Sequence, residues 1–143
     1  MKKDCLEYAL NYIYNYPKTE AELIIQLKKK GYLESEINKT ISFLKHKNYV
    51  NDNNFAEIYI NGEVGKKGKP LALVYSKLLH KGVSKEVIEK AIAANNNDIK
   101  KGTIHKIKKE IEKLKAKGES GFDIIQKLMR RGYKLDEIKK CLE

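Results

Sequence analysis

The chain has 143 residues, 41% of them hydrophobic, and its 30 basic and 19 acidic residues give a formal net charge of +11. No stretch approaches the roughly 18 to 20 apolar residues of a membrane-spanning helix, and the first residues lack the apolar core of a secretion signal, so we expect a cytoplasmic protein. The positive charge favours a polyanionic partner, either nucleic acid or an acidic protein surface.

The first fifty residues predict three helices, because apolar residues recur at helical spacing between helix-breaking residues. The first helix is predicted over Cys5–Tyr16. The second begins near Thr19, which with Glu22 fits a capping box, and ends at Gly31, where a left-handed backbone is expected. The third runs from about 35 to 46. The residues predicted to face inward are Leu6, Leu10 and Ile13, then Leu23 and Leu27, then Ile37, Ile41 and Leu44.

The next segment predicts the same plan. Its first helix starts near Asp52 and is stopped by a flexible, basic, glycine-containing loop over 62–69. Pro70 suits the first turn of the next helix, where its missing N–H costs nothing, and that helix ends at Gly82. Ser84 is predicted to cap the third helix, which ends at three consecutive asparagines. The predicted inward residues are Phe55, Ala56 and Tyr59, then Val74 and Leu78, then Val87, Ile88 and Ile92.

The last segment opens with a longer helix, predicted over 98–117 and ended by Gly118 and Gly121. Two shorter helices follow it. The inward residues are predicted to be Ile104, Ile107, Ile111 and Leu114 on the long helix, then Ile124, Ile125 and Leu128, then Ile138 and Leu142.

One short phrase occurs three times, with its glycine at Gly31, Gly82 and Gly132, separated by 51 and then 50 residues. Each glycine has aliphatic residues at the same offsets before and after it. A fixed period of this length indicates a tandem structural array, and arrays usually serve as binding surfaces. We therefore predict an all-α protein of three tandem three-helix repeats, over residues 1–50, 51–97 and 98–143, forming an elongated, curved array.

Catalytic and metal-binding patterns are absent from the sequence. His46, His80 and His105 are scattered, and no H-E-x-x-H, zinc spacing or phosphate-binding loop occurs. Cys5 and Cys141 lie at opposite ends of the chain, and we expect them to pack rather than to form a disulfide. The sequence predicts no enzymatic activity, no cofactor and no metal site.

Basic residues cluster before the repeat glycines, on the glycine-containing loop and along the long helix, where positions 101, 105, 108, 109 and 112 are predicted to face solvent. Codon bias in an AT-rich genome, favourable contact with helix dipoles and a solvated face each offer an alternative explanation. Lysines on phosphate would give affinity without sequence specificity. The candidate contacts to a partner or to DNA are Lys28, Lys29, Lys30, Lys66, Lys67, Lys69, Lys81, Lys101, Lys108, Lys109, Arg130 and Arg131.

A set of segments spread over nearly the full length forms a specific combination. They are Thr19-Glu20-Ala21-Glu22-Leu23 with Leu27 and Gly31-Tyr32; Tyr49-Val50-Asn51-Asp52 with Phe55-Ala56; Gly65 and Gly68-Lys69-Pro70 leading to Leu78 and Lys81-Gly82-Val83; and Leu128 to Leu142. Together they resemble the RecX family of recombinase regulators. The resemblance implies tandem three-helix repeats that bind the RecA recombinase in the groove of its filament on single-stranded DNA, usually inhibiting filament growth, strand exchange and ATP turnover.

One position departs from the family pattern. Many relatives carry an arginine roughly where Glu63 stands, and Lys66 or Lys67 is a candidate replacement for it. We expect a noncatalytic, monomeric RecA regulator that also contacts single-stranded DNA through phosphates. The alternative is a standalone, nonspecific nucleic-acid-binding protein, and a generic helical adaptor for another protein is a third possibility.

Overall fold

The computed structural model describes residues 3–143, which contain α-helices, one π-helical segment and no strand. The predicted all-α class is therefore confirmed for this part of the chain. The helices are α1 Cys5–Asn15, α2 Glu20–Lys29, α3 Glu34–His46, α4 Asp52–Ile60, α5 Leu71–His80, α6 Lys85–Ala94, α7 Asn96–Ala116, α8 Gly121–Arg131 and α9 Leu135–Leu142, and the π-helical segment Asn61–Lys66 continues α4.

The buried side chains form three separate clusters, which we call the first, second and third core. The first core consists of Cys5, Ala9, Leu23, Leu27, Tyr32, Ile37, Ile41, Leu44 and Val50. The second consists of Ala56, Ile60, Val64, Val74, Leu78, Val83, Ile88, Ala91 and Ile99. The third consists of Ile107, Ile111, Leu114, Ile124, Leu128, Tyr133 and Ile138. Ile99 of α7 joins the second core, and the exact repeat boundaries and the curvature of the array stay predictions.

The three-fold phrase corresponds to one hydrogen-bonded motif. Gly31, Gly82 and Gly132 have φ values of 86°, 85° and 111°, in the left-handed region that favours glycine. The residue after each glycine is buried, and its N–H donates to the carbonyl five residues earlier, which is one bond of a Schellman cap. These bonds are Tyr32 N to Leu27 O at 3.2 Å, Val83 N to Leu78 O at 3.1 Å and Tyr133 N to Leu128 O at 3.2 Å.

Two predicted N-terminal caps are confirmed. Thr19 Oγ1 accepts from the N–H of Glu22 at 3.1 Å, and Glu22 Oε1 accepts from the N–H of Thr19 at 3.1 Å, which completes the capping box. Ser84 Oγ accepts from the N–H of Val87 at 3.3 Å. These contacts place α2 and α6 where the local sequence predicts them.

The prediction of a flexible loop over 62–69 is wrong. Helical structure continues through Lys66, and Val64 is fully buried in the second core. Gly102 of α7 packs directly on this segment, because a Cβ added to Gly102 would lie 2.3 Å from the carbonyl oxygen of Gly65. A close helix-to-helix contact therefore overrides the low helix propensity of the glycines.

Some inward-facing residues also differ from the prediction. Ile104 is 45% exposed, and Ile99 and Thr103 lie in the interior instead, because α7 begins at Asn96 and its buried face serves both the second and the third core. In α1, Cys5 and Ala9 are the fully buried residues. The other residues that were predicted to face inward but are only half-buried are Leu6, Leu10, Ile13, Phe55, Tyr59, Val87, Ile92, Ile125 and Leu142.

Gly118 has a φ of 82° and ends α7, as expected, whereas Gly121 begins α8 instead of ending the long helix.

Cys5 is buried and Cys141 is half-buried against the third core, and both are free thiols. Burial raises the pKa of the Cys141 thiol, which agrees with a packing role.

Candidate functional site

The second and third cores meet at a joint built on backbone contact. Here α7 packs on the π-helical segment through Gly102, and the hydroxyl of Tyr133 donates to the carbonyl oxygen of Gly68 at 2.6 Å. A Cβ added to Gly132 would lie 3.1 Å from the ring of Pro70. The joint therefore brings the segment of Lys66–Lys69 next to the end of α8, which carries Arg130 and Arg131. We call this region the second joint.

Glu63 neutralises two of the predicted basic contacts at the second joint. Its carboxylate lies 2.7 Å from Lys69 Nζ and 3.4 Å from Lys67 Nζ. The hydrogen bond from Lys69, with the charges of both lysines, lowers the pKa of Glu63. Lys66 is exposed and forms no ion pair within the part of the chain that the structure describes. Of the two proposed replacements for the family arginine, Lys66 is therefore the one without a carboxylate partner among the described residues, although Lys67 also stays 63% exposed.

Glu110 organises a second group of charges at the same joint. Its carboxylate lies 2.9 Å from Arg131 Nη1, 3.1 Å from Lys106 Nζ and 3.8 Å from Lys113 Nζ. Burial alone would raise the pKa of Glu110, but the hydrogen bonds from Lys106 and Arg131 lower it overall. Arg131 is thus paired with Glu110 although its side chain stays 47% exposed, whereas its exposed neighbour Arg130 forms no ion pair among residues 3–143.

The outer face of α7 matches the sequence prediction. Positions 101, 105, 108, 109 and 112 are all exposed. Across residues 3–143, the ion pairs of the structure involve none of Lys101, Lys108 or Lys109. Lys28 and Lys29 at the end of α2 are likewise exposed, and the ammonium of the exposed Lys30 lies 5.7 Å from the ring centre of Tyr8. The structure thus leaves these cations accessible, and their contact with a partner stays a prediction.

The first and second cores meet at a joint built on side chains, which we call the first joint. The buried hydroxyl of Thr19 donates to the carbonyl oxygen of Lys81 at 2.6 Å. Asp52 Oδ1 accepts from the N–H of Glu20 at 2.9 Å. Lys81 Nζ also lies 3.3 Å from Glu22 Oε2 and 5.8 Å from the ring centre of Tyr59. Lys81 therefore has a structural role at this joint in addition to its predicted one.

A groove of about 370 Å³ opens beside the first joint, and sequence reasoning missed it. Its walls combine aromatic rings, asparagine amides and two lysines from both sides of the joint. The lining residues are Tyr16, Pro17, Lys18, Asn48, Tyr49, Asn51, Asn54, Phe55, Ile58, Tyr59 and Lys81. We call it the aromatic groove.

The turn after α3 explains why one of these rings faces solvent. Asn48 has a φ of 63°, a left-handed conformation that asparagine tolerates better than most residues. This turn sends Val50 into the first core and leaves Tyr49 60% exposed. Asn51 Nδ2 donates to Asn48 Oδ1 at 2.7 Å, while Asn51 Oδ1 caps α4 by accepting from Asn54 N at 3.0 Å. The signal in the sequence was a tyrosine beside a valine at a helix end.

Residues 3–143 contain no group of three or more histidine, cysteine or acidic side chains placed to hold a metal ion. Within the same residues, no helix combines the length and hydrophobicity that crossing a bilayer requires.

Comparisons with known proteins identify the family. A family model described as the first three-helix domain of RecX matches residues 5–44. The protein named regulatory protein RecX from Clostridium beijerinckii is 35% identical over 134 residues, covering 90% of this chain and 62% of that protein. The one from Clostridium botulinum strain Eklund 17B is 32% identical over 144 residues, covering 97% and 67%. The chain thus spans 62% to 67% of the length of these two curated relatives.

Solved structures agree on the fold. The crystal structure of RecX from Lactobacillus salivarius superimposes with a TM-score of 0.81 at 24% identity, covering 96% of this chain and 92% of that chain. A second crystal structure of a regulatory protein RecX gives a TM-score of 0.78 at 18% identity, covering 95% and 70%. The relatives are named regulatory proteins, which supports the prediction that the chain is not an enzyme. The chain belongs to the RecX family of regulatory proteins.

Proposed function

We propose that this protein binds the RecA recombinase filament on single-stranded DNA and inhibits it without catalysing a reaction of its own. The observation that carries the proposal is the match of nearly the whole chain to proteins named regulatory protein RecX. The protein acts as a monomer in the cytoplasm, in homologous recombination, DNA repair and the SOS response.

The arrangement of three cores supports this proposal. Each core lies beneath a different part of the protein surface, and the two joints hold these parts together within one chain. A filament presents the same site on successive subunits, so several modest contacts act together with a high effective concentration. Exposed lysines such as Lys101, Lys108 and Lys109 add contacts to DNA phosphate or to an acidic filament surface.

The direct experiment measures ATP hydrolysis by the cognate recombinase on single-stranded DNA while this protein is titrated. We expect hydrolysis to fall, and the protein to sediment with the DNA-bound recombinase. Unchanged hydrolysis at micromolar protein, together with no co-sedimentation, would remove the proposal. Stimulation of hydrolysis with binding intact would overturn inhibition while keeping the partner.

Charge reversal on α7 tests how the filament is contacted. The pair Lys108→Glu and Lys109→Glu should weaken binding to DNA-loaded filaments without changing the thermal unfolding temperature, because both side chains are exposed. The pair Lys85→Glu and Lys90→Glu on α6 makes the same change in net charge at exposed positions outside the predicted contact set. Equal loss in both pairs would assign the effect to net charge alone.

A second candidate function is nonspecific binding of nucleic acid without a recombinase. The lysines of α7 that are exposed and form no ion pair among residues 3–143 favour it. It requires tight binding to bare DNA and a steep loss of affinity as the salt concentration rises. Weak binding to bare DNA combined with strong binding to the filament would select the first proposal over this one.

A further inference from the structure

We propose that the aromatic groove is a stacking site for the unpaired bases of single-stranded nucleic acid. This inference goes beyond the proposed function, because it assigns a ligand chemistry to a surface that the charge pattern does not identify. It also needs no recombinase, so the free protein can test it.

Exposed aromatic rings are the first support. Tyr16 follows α1 and Tyr49 follows α3; both line the groove and are 72% and 60% exposed. Phe55 and Tyr59 form a stacked pair in the wall, with ring centres 5.8 Å apart and planes at 13°. Every base has a π-face, and aromatic side chains bind single strands by stacking on it with little sequence preference. The rings supply the surface that this kind of recognition requires.

Charge complementarity is the second support. The eleven lining residues include Lys18 and Lys81 and no aspartate or glutamate. Lys81 shares its charge with Glu22 at 3.3 Å, whereas Lys18 forms no ion pair among residues 3–143 and lies 5.4 Å from the ring centre of Tyr12. A nucleotide presents a flat base and a phosphate together, so it occupies the rings and the cationic rim at once. A purely apolar peptide would use the rings alone.

The size of the groove favours single strands over duplexes. Its volume of about 370 Å³ lies at the small end of the range for ligand pockets, roughly 300 to 1,000 Å³. That space admits a nucleotide whose base has left its stack, whereas the bases of a duplex already stack on one another and stay inside the helix. Duplex DNA therefore meets only the lysines and not the rings.

The groove is also built in advance. Asn51 holds Asn48 on one wall, and the hydrogen bond from Thr19 to the carbonyl of Lys81 ties the two walls together. Walls that are fixed before binding lose less conformational entropy when the ligand arrives. The asparagine side chain of Asn54, which lines the same space, adds an amide that can hydrogen-bond to the edge of a base.

The experiment measures fluorescence anisotropy of a labelled oligothymidine titrated with the full chain. Two further probes are the abasic oligonucleotide of equal length, which keeps every phosphate but has no bases, and the corresponding duplex. We expect Tyr16→Ala and Tyr49→Ala each to weaken oligothymidine binding by roughly 5- to 150-fold. Binding to the abasic probe and to the duplex should not change. The slope of log affinity against log salt should also stay the same, because the phosphate contacts remain.

Matched variants separate stacking from damage to the fold. Tyr14→Ala removes a tyrosine of α1 that is 85% exposed and does not line the groove, and this variant should bind normally. Tyr49→Phe keeps the ring and should retain binding. Equal affinity of the wild-type protein for oligothymidine and the abasic probe would overturn the inference, as would normal oligothymidine binding by both alanine variants. If these variants fail only on recombinase filaments, the groove binds protein and the inference is wrong, while the proposed function stands.

Discussion

Gly102→Ala is the sharpest test of the second joint. Gly102 lies inside α7, where alanine normally stabilises a helix by about 1 kcal/mol relative to glycine. Sequence reasoning alone therefore predicts a more stable protein. The structure predicts the opposite, because the added methyl would lie 2.3 Å from Gly65 O and 2.4 Å from Val64 O.

The size of the effect follows from which atoms clash. All three neighbours of the added Cβ are backbone atoms of the π-helical segment, so no side chain can rotate away. To reach an ordinary contact of 3.4 Å, the two helices would have to separate by about 1 Å. That displacement would disturb Val64, which is fully buried, and the bond from Tyr133 to Gly68. Overpacking of this kind costs about 3 kcal/mol, and the helix propensity of alanine offsets about 1.

The net expectation is a loss of about 2 kcal/mol in the free energy of unfolding. For a chain of this size that corresponds to a fall of about 8 °C in Tm. Thermal and urea unfolding followed by circular dichroism measure both quantities.

Gly62→Ala is the matched control. Gly62 lies in the helical segment itself, and a Cβ there would meet nothing within 4 Å. We expect this variant to be as stable as the wild type or more stable by up to about 1 kcal/mol. If Gly102→Ala unfolds at or above the wild-type temperature, α7 does not pack on the π-helical segment as tightly as described. Equal destabilisation by both variants would point to a general intolerance of the segment and would also refute the clash.

Two further predictions concern the same joint. Tyr133→Phe should lower the free energy of unfolding by about 1 to 3 kcal/mol, because it leaves the buried carbonyl of Gly68 without its donor; an unchanged urea midpoint would contradict this. Burial raises the pKa of Tyr133. In an alkaline titration, the wild-type protein should therefore show a late-ionising tyrosine that the Tyr133→Phe variant lacks. Glu63→Gln should be less stable than the wild type at neutral pH. The pKa of Glu63 is lowered by Lys69, so its contribution is present above 4.5 and is lost as the pH falls through the folded value. The two stabilities should therefore converge in acid, and a constant difference down to pH 3 would count against the ion pair.

Helix limits could be predicted from the sequence because their causes are local. The capping box of Thr19 and Glu22 and the left-handed Gly31 act within a few residues of themselves. The spacing of aliphatic residues around the three repeat glycines likewise reports burial directly, and the residue after each glycine is buried in every copy. Local signals of this kind gave the all-α class and the caps.

The π-helical segment was missed because its cause lies about forty residues away. Three glycines between 62 and 68 predict a loop on propensity alone. The contact with Gly102 reverses that preference, since the missing side chain lets the two backbones approach. The signal available in the sequence was Gly102 itself, a glycine without an assigned purpose in the middle of a long helix.

The aromatic groove was missed for a different reason. Tyr49 and Val50 lie where α3 has ended, so helical periodicity no longer indicates which of them is buried. Phe55 and Tyr59 were correctly placed on a helix, but they line the groove together with Tyr16 and Tyr49, which belong to other segments of the chain. An interface between two cores is a property of their relative position, which neither segment encodes by itself.

The loss of one hydrogen-bonding hydroxyl should have different effects on nucleic-acid binding at the two joints. Thr19→Val and Tyr133→Phe each remove one hydroxyl that donates to a carbonyl at 2.6 Å, one at each joint. Both should destabilise the fold, and Thr19→Val loses a helix cap as well, at about 1 kcal/mol. Only the first joint carries the aromatic groove. Well below either Tm, Thr19→Val should weaken oligothymidine binding while Tyr133→Phe leaves it unchanged, and Thr19→Ser, which keeps the hydroxyl, should bind normally. Equal affinities for Thr19→Val and Tyr133→Phe would show that the groove does not depend on how the first joint is held.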